Sequence, residues 1–419
     1  MKLIDELKWR GLIYDIIDEE NLTKRLEEKP ITLYCGFDPT ADSMHIGSLL
    51  PIVTLVRFHN AGHRIIALTG GGTGLIGDPS GKKNERSLNS VEVIKKWSMS
   101  FKEQFSRFIP FNNQTAFSID NYDWLGEMKA IELWRDYGKH FNINYMLAKE
   151  SVKSRLDTGL TYLEFSYMIM QSIDFLKMYQ NETLKCEMQI GGQDQWGNIT
   201  AGMELIRKIE GPDAKVYGLT MPLITKSDGT KFGKTESGAI WLDKEKTSPY
   251  EMYQFFINTA DADVIKFLKY YTFLTKKEIE VLEESVIKEA HLRLAQKRLA
   301  EEVVKLVHGE ESLKEAIKIT NALFSGDLKS LTIKEIKEGF KNFSFVEISL
   351  DLNIIDALVL TNAASSKREA RQFLSNNAIY VNGDIVTDFE AVVKKENAFG
   401  NEFSVIRRGK KNYYIIRHN

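Results

Sequence analysis

The sequence predicts an α/β protein: a parallel sheet wrapped by helices, then an α-helical stretch, then a small α+β tail. Three observations carry that expectation. Short β-rich runs alternate with helical patterns through the first half. From Ser248 to about Leu323 the pattern is almost wholly helical, and residues 351–419 form a segment with its own strand and glycine turns. A chain of 419 residues suits two or three domains, because single cores stop growing beyond roughly 250–300 residues.

In chain order, Ile31–Cys35 reads as a buried strand, followed by a turn from Gly36 to Pro39. A helix is expected from about Gly47, with Leu49, Ile52, Leu55 and Val56 at helical spacing. Arg64–Thr69 is a second strand, and 115–119, 185–190 and 215–219 are further strands, with helices near 90–109, 161–180 and 194–210. Such alternation places a site at the carboxyl ends of parallel strands.

Composition excludes several classes. At 43% hydrophobic and 27% charged, the chain is neither disordered nor collagen-like. A net charge of −2 excludes a wholesale polycation, but not a nucleic-acid partner, because binding depends on where charge sits. Cys35 and Cys186 match no metal spacing and no disulfide framework. The charged start at Met1–Lys8 carries no signal pattern, and no window reaches the ~18 apolar residues of a membrane span. A cytoplasmic protein is expected.

The glycine-rich stretches are informative mostly through how they miss familiar templates. Gly72-Thr73-Gly74-Leu75-Ile76-Gly77 spells the dinucleotide fingerprint, yet a polar loop follows where that fingerprint needs a helix. Gly77–Lys82 and Gly229–Thr235 each fall one residue short of a P-loop, but both present lysines on glycine loops, as a polyphosphate clamp requires. Between Asp38 and Ser48 the chain passes from strand to helix, a place that favours anions; Thr40 and His45 there could donate to phosphate oxygens. Tyr167, Gln171 and Asp174 share one face of a helix that is otherwise apolar. Unpaired buried polar groups cost ~1–3 kcal/mol each, so that stripe needs partners.

Taken together, these residues resemble the class I aminoacyl-tRNA synthetases, and within them the bacterial tyrosyl-tRNA synthetases. His45-Ile46-Gly47-Ser48 is similar to the first class signature and Lys231-Phe232-Gly233-Lys234-Thr235 to the second. Thr32–Thr40, Gly191–Ile199 and Tyr167–Asp174 extend the resemblance, which covers the whole chain. It implies a Rossmann-like catalytic domain over 1–220, the second signature loop with an α-helical anticodon-binding domain over 221–325, a linker over 326–350, and an S4-like RNA-binding domain over 351–419.

The implied chemistry is attack of the tyrosine carboxylate on the ATP α-phosphate, then transfer of tyrosine from the adenylate to the terminal ribose of tRNA(Tyr). By the resemblance, Tyr34 and Asp174 hold the tyrosine hydroxyl, Asp78, Tyr167 and Gln171 its ammonium, and Gln195 completes the tyrosine site. Thr40, His45, Lys82, Arg86, Lys231, Lys234 and Thr235 stabilise the transferring phosphates. Gly36, Asp38, Gly47, Ser48, Gly191, Asp194 and Lys234 line the ATP site. Mg²⁺ is expected with ATP, with no dedicated protein metal site, and the family implies a homodimer. Ser48 departs from the class pattern, which ends in a second histidine there.

In the tail, Ser366–Leu374 and Ala378–Gly383 resemble the S4 module. Residues 351–419 hold ten basic and eight acidic side chains, so the signal lies in the clusters Lys367/Arg368/Arg371 and Arg407/Arg408/Lys410/Lys411. Two competing readings are a catalytically inactive synthetase-like RNA-binding regulator and a tryptophan-charging relative. The phosphate-loop residues count against the first, and the Tyr34/Asp174 pair against the second.

Overall fold

The structure, a computed structural model, describes residues 1–81, 88–153, 155–157, 159–230, 232–235, 238–409 and 412–419, with the backbone alone at Ser151, Lys234 and Thr235. The chain forms two compact units, Met1–Thr247 with Ile257–Val307, and Ser248–Phe256 with His308–Asn419.

The first unit is built on a six-stranded sheet. Its strands are β1 (Asp15–Ile16), β2 (Thr32–Phe37), β3 (Arg64–Thr69), β4 (Ala116–Asp120), β5 (Cys186–Gly192) and β6 (Tyr217–Met221), in the order β1-β6-β5-β2-β3-β4. The last five in that order run parallel, and β1 pairs antiparallel on the edge of β6. β2, β3 and β5 read as apolar runs because helices cover both faces; Leu33, Ile65, Ile66 and Met188 are fully buried. The chain leaves β2 toward β3 and β4 on one side and returns to β5 and β6 on the other. That reversal puts the crevice of a doubly wound sheet beside the carboxyl ends of β2 and β5.

The flanking helices begin where local chemistry starts them. Ile46–Asn60 is capped by the His45 side chain, Val91–Phe105 by Ser90, and Tyr162–Gln180 by Thr161, each accepting a backbone N–H of the first turn. Helices Asp261–Tyr271, Lys276–Lys288 and Leu294–His308 follow, the expected helical stretch. The edge strand β1 and the short helical pieces between Tyr122 and Lys153 had no periodic signal long enough to read.

In the second unit, β7 and β8 of the first having been the pair Lys234–Thr235 and Gly238–Ala239, the strands are β9 (Phe345–Ile348), β10 (Leu352–Asn353), β11 (Ile379–Val381), β12 (Asp384–Ile385), β13 (Val392–Val393), β14 (Phe403–Arg408) and β15 (Asn412–His418). Five of them make a sheet in the order β12-β11-β14-β15-β9, packed on helices Ile354–Leu360 and Lys367–Ser375. Residues 326–350, expected as a linker, are instead folded into this unit. Leu328, Leu331, Ile336 and Phe340 are buried with Val405 and Ile415, and β9 pairs with β15. Their burial is the physical reason: a free linker would leave four large apolar side chains in water.

Candidate active site

The carboxyl edge of the sheet gathers a chain of hydrogen bonds. Asp38, just past β2, accepts from Thr73 Oγ1 (2.7 Å) and from the Tyr167 hydroxyl (2.7 Å). Asn121, just past β4, uses both amide hydrogens, one to Thr73 Oγ1 and one to Asp174 Oδ2, each at 2.9 Å. Its carbonyl accepts the Gly72 N–H at 2.7 Å. Trp124 Nε1 donates to Asp174 Oδ1 at 2.8 Å. The approach needs glycine at position 70, where a Cβ would stand 2.0 Å from Asp38 Oδ1 and 2.4 Å from Thr73 Oγ1. The glycine run after β3 thus serves close packing of side chains; one 3₁₀ turn at Thr73–Leu75 follows it, and among the described residues the next helix begins at Val91.

Asp174 is 2% exposed, and burial pushes its carboxyl up to about 8. The hydrogen bonds from Asn121 and Trp124 oppose the rise, while Asp38 and Asp120 add to it. Tyr34 is fully buried against Phe175, and burial, then Asp174, raise its phenol well above the ordinary value. The Tyr34 hydroxyl, Gln171 Oε1 and Gln189 Oε1 are buried with no hydrogen-bond partner among the described residues. On the other flank Gln195 Nε2 donates to Asp78 Oδ2 (2.6 Å), and Gln195 Oε1 accepts from Asn198 (3.1 Å). Gly191 is the next-to-last residue of β5, Asp194 follows in a 3₁₀ turn, and Gly36 lies exposed on β2.

His45 occupies the N-cap of helix Ile46–Asn60, its Nδ1 accepting the Gly47 N–H at 3.0 Å. An accepting Nδ1 puts the proton of the neutral ring on Nε2, so His45 is set as a donor. Thr40 is exposed in the loop before it, and the Ser48 N–H donates to the His45 carbonyl at 2.8 Å. Backbone bonds join this segment to the second signature: Ile46 N–H to Ile240 O (2.8 Å), Leu242 N–H to Met44 O (2.8 Å) and Ile240 N–H to Gly233 O (3.0 Å). Gly233 has φ +82°, and a Cβ there would lie 2.2 Å from Ile46 Cγ2. Lys234 and Thr235 form β7, paired with β8.

Lys82, Arg86, Lys231, Lys410 and Lys411 lie outside the described residues. Among the tail cations, Arg368 and Arg371 are exposed on helix Lys367–Ser375, and Lys367 pairs with Asp356 at 2.6 Å. Arg407 stacks on Tyr380, 4.0 Å from the ring centre, and Arg408 donates to the Ala363 carbonyl at 2.6 Å. Sequence reasoning missed Thr73, Asn121, Trp124 and Gln189. Asn121 and Trp124 could have been found from their place just after a strand, and Gln189 as a polar residue inside an apolar one.

A doubly wound sheet with a histidine-capped helix at its switch point, tied to a lysine hairpin, has the architecture of a class I aminoacyl-tRNA synthetase. Residues 26–325 match the family model of tRNA synthetases class I (W and Y), and residues 335–416 that of the Tyrosine--tRNA ligase SYY-like C-terminal domain. The chain is 58% identical over 421 residues to the Tyrosine--tRNA ligase of Geobacillus stearothermophilus, covering 100% of both, and 55% identical over 420 residues to Tyrosine--tRNA ligase 1 of Bacillus subtilis (strain 168), covering 99% of both. A C-terminally truncated Aspergillus nidulans mitochondrial tyrosyl-tRNA synthetase superposes with TM-score 0.69 at 32% identity, over 77% of this chain and 94% of that one. The chain belongs to the bacterial tyrosyl-tRNA synthetase family.

The buried carboxylate makes a pH prediction. Asp174 ionises near 3.8 when exposed and near 8 in the fold, so between those values the native state keeps a proton that the unfolded chain releases. Stability therefore falls as pH rises through that window and levels off above it. Asp174→Asn cannot titrate, so its melting temperature relative to the parent should climb from about pH 5 to about pH 8.5. A difference that does not vary with pH would contradict the raised value.

Proposed function

We propose that the chain activates L-tyrosine with ATP and transfers it to tRNA(Tyr). The observation that carries this reading is the buried Tyr34 hydroxyl beside Asp174, an acceptor already held by Asn121 and Trp124. A substrate phenol hydroxyl donating to Asp174 and accepting from Tyr34 satisfies both. Phenylalanine leaves the Tyr34 hydroxyl unpaired, at ~1–3 kcal/mol, and Asp174 with only its donors from Asn121 and Trp124. The ammonium is assigned to Asp78, Tyr167 and Gln171, with Gln195 holding Asp78 in place.

In the first step a tyrosine carboxylate oxygen attacks the α-phosphorus. The bond to the bridging oxygen breaks, and pyrophosphate leaves with those electrons. A terminal ribose hydroxyl of the tRNA then attacks the adenylate carbonyl, the ester forms, and AMP leaves. No protein nucleophile is required, and the rate comes from positioning and charge stabilisation. His45, as an Nε2–H donor, and Thr40 hold the phosphates, joined by Lys82, Arg86, Lys231, Lys234 and Thr235. Gly36, Asp38, Gly47, Ser48, Gly191 and Asp194 border the nucleotide, and Mg²⁺ enters with ATP as part of that substrate. The exposed Arg368 and Arg371, with Lys367, Arg407, Lys410 and Lys411, are assigned to the tRNA backbone, and Arg408, which donates to the Ala363 carbonyl, to holding that surface in place. The reading places the protein in the cytoplasm as a homodimer. The exposed Ile131, Trp134, Ile143 and Tyr162 of the catalytic unit support association. Among the described residues no helix is long and apolar enough to cross a membrane.

ATP–pyrophosphate exchange tests the reading: tyrosine should support it and tryptophan and phenylalanine should not, on material whose light-scattering mass is twice that of one chain. Exchange with tryptophan alone, or with none of the three, would overturn it. His45→Ala should slow adenylate formation by ~10²–10³-fold and Ser48→Ala by under about tenfold, since a preorganised donor to the transferring phosphate is lost only in the first. Equal losses would refute that division. Replacing Arg368 and Arg371 together by Ala should leave exchange intact, weaken tRNA charging, and lower the salt slope of tRNA binding by roughly one to two units; an unchanged slope would remove them from the RNA contact.

A further inference from the structure

The second signature hangs on a hairpin whose base is gripped by a helix that the chemistry above leaves unassigned. Between Ile224 and Phe232 the chain folds back on itself: Lys226 N–H bonds Thr230 O at 2.9 Å, Phe232 N–H bonds Ile224 O at 3.3 Å, and Gly229 N–H closes the turn on Lys226 O at 3.0 Å. Asp228 caps that turn by accepting from the Thr230 N–H and hydroxyl. Helix Asp261–Tyr271 holds the outgoing arm by a polar clip. The Ser227 N–H donates to Asp263 Oδ1 (3.0 Å) and Oδ2 (3.1 Å), and the Ser227 hydroxyl donates to Oδ2 (3.1 Å). Lys266, one turn on, pairs with Asp263 at 3.2 Å and donates to the Thr225 carbonyl at 2.6 Å.

The same helix takes the returning arm by an aromatic wedge, with Phe232 4.3 Å from the Phe267 ring centre and 5.8 Å from that of Tyr271. Asp263 is 3% exposed although its partner Ser227 is on the surface, so a buried charge is committed to fixing one exposed turn. Its position in the first turn of the helix stabilises that charge. The side chains of the signature face opposite demands: by the proposed function the lysines reach phosphate, while Phe232 stays in the core. A clip at Ser227 sets where the hairpin leaves the core, and hence where the lysines start.

We propose that Asp263 is a positioning residue for tyrosyl-adenylate formation, acting through Ser227 on the lysine hairpin and touching no substrate itself. The inference rests on the activation reaction proposed above. In single-turnover measurements on the full chain, Asp263→Ala should slow adenylate formation by about tenfold to a hundredfold, the range for small misplacement of catalytic groups, with the tyrosine Kd within about twofold of the parent. Asp263→Asn, which keeps an acceptor for the Ser227 N–H, should recover part of the rate. Ser227→Ala should cost less than Asp263→Ala and add nothing in its background. Should Asp263→Ala fail to fold, Ser227→Ala and Lys266→Met must still lower the rate at unchanged tyrosine Kd. Rates equal to the parent in these variants, or a tyrosine Kd that rises in step with the lost rate, would overturn the proposal. A parent chain that forms no tyrosyl-adenylate would overturn the activation reading itself, whatever the variants do.

Discussion

A carboxyl group buried to 2% exposure has to be held by its neighbours, and the way Asp174 is held organises the site. Its two oxygens take donors from Asn121 and Trp124, Asn121 reaches on to Thr73, Thr73 to Asp38, and Asp38 to Tyr167 on the same helix as Asp174. The result is a closed circuit of polar side chains from helix Tyr162–Gln180 through the loops after β2, β3 and β4. In a medium of low polarity each bond in such a circuit is strengthened, and each unmet group is costly. The circuit therefore fixes the loops to one another more firmly than their own backbones could. The groups it leaves unpaired among the described residues are the Tyr34 hydroxyl and the side-chain carbonyls of Gln171 and Gln189.

The side of the crevice proposed above for the phosphates is organised by backbone instead. Two signatures nearly two hundred residues apart meet because Met44, Ile46, Gly233, Ile240 and Leu242 exchange main-chain hydrogen bonds, and because Gly233 lacks the Cβ that would strike Ile46. Main-chain bonding is indifferent to side-chain identity, so the meeting of the two signatures does not rest on the side chains proposed above for the phosphates. His45 is the exception, since its Nδ1 also caps helix Ile46–Asn60, and that bond is what turns Nε2–H outward as a donor.

How far the sequence could be read follows from the same division. The parallel strands and long helices were legible because burial on both faces and helical periodicity leave strong patterns; β3 was read to the residue at Arg64–Thr69. Tyr167, Gln171 and Asp174 were legible as a polar stripe on an apolar helix. Thr73, Asn121 and Trp124 were not, because they lie in short turns and connections, and their partners Asp38 and Asp174 are distant in sequence. For Asn121 and Trp124 the place just after β4 was a signal, but local composition does not name the partner. Residues 326–350 read as a linker for a related reason: their four apolar anchors pack against strands near the end of the chain, a partnership invisible from within the segment.

Charge shows the same limit most plainly in the tail. Lys367, Arg368 and Arg371 read as one cluster, as do Arg407 and Arg408, yet the two clusters differ once placed on elements. Arg368 and Arg371 are three apart on a helix and share a face, and both are exposed. Arg407 and Arg408 are adjacent on β14, so the alternation of a strand sends them to opposite faces. One then stacks on its cross-strand neighbour Tyr380, while the other satisfies the Ala363 carbonyl and lies between Phe373 and Tyr414. Neighbouring charges in a sequence therefore make a common electrostatic surface only when their spacing matches the period of the element that carries them. By that criterion the helix pair presents charge outward, and the strand pair divides its charge between surface and scaffold.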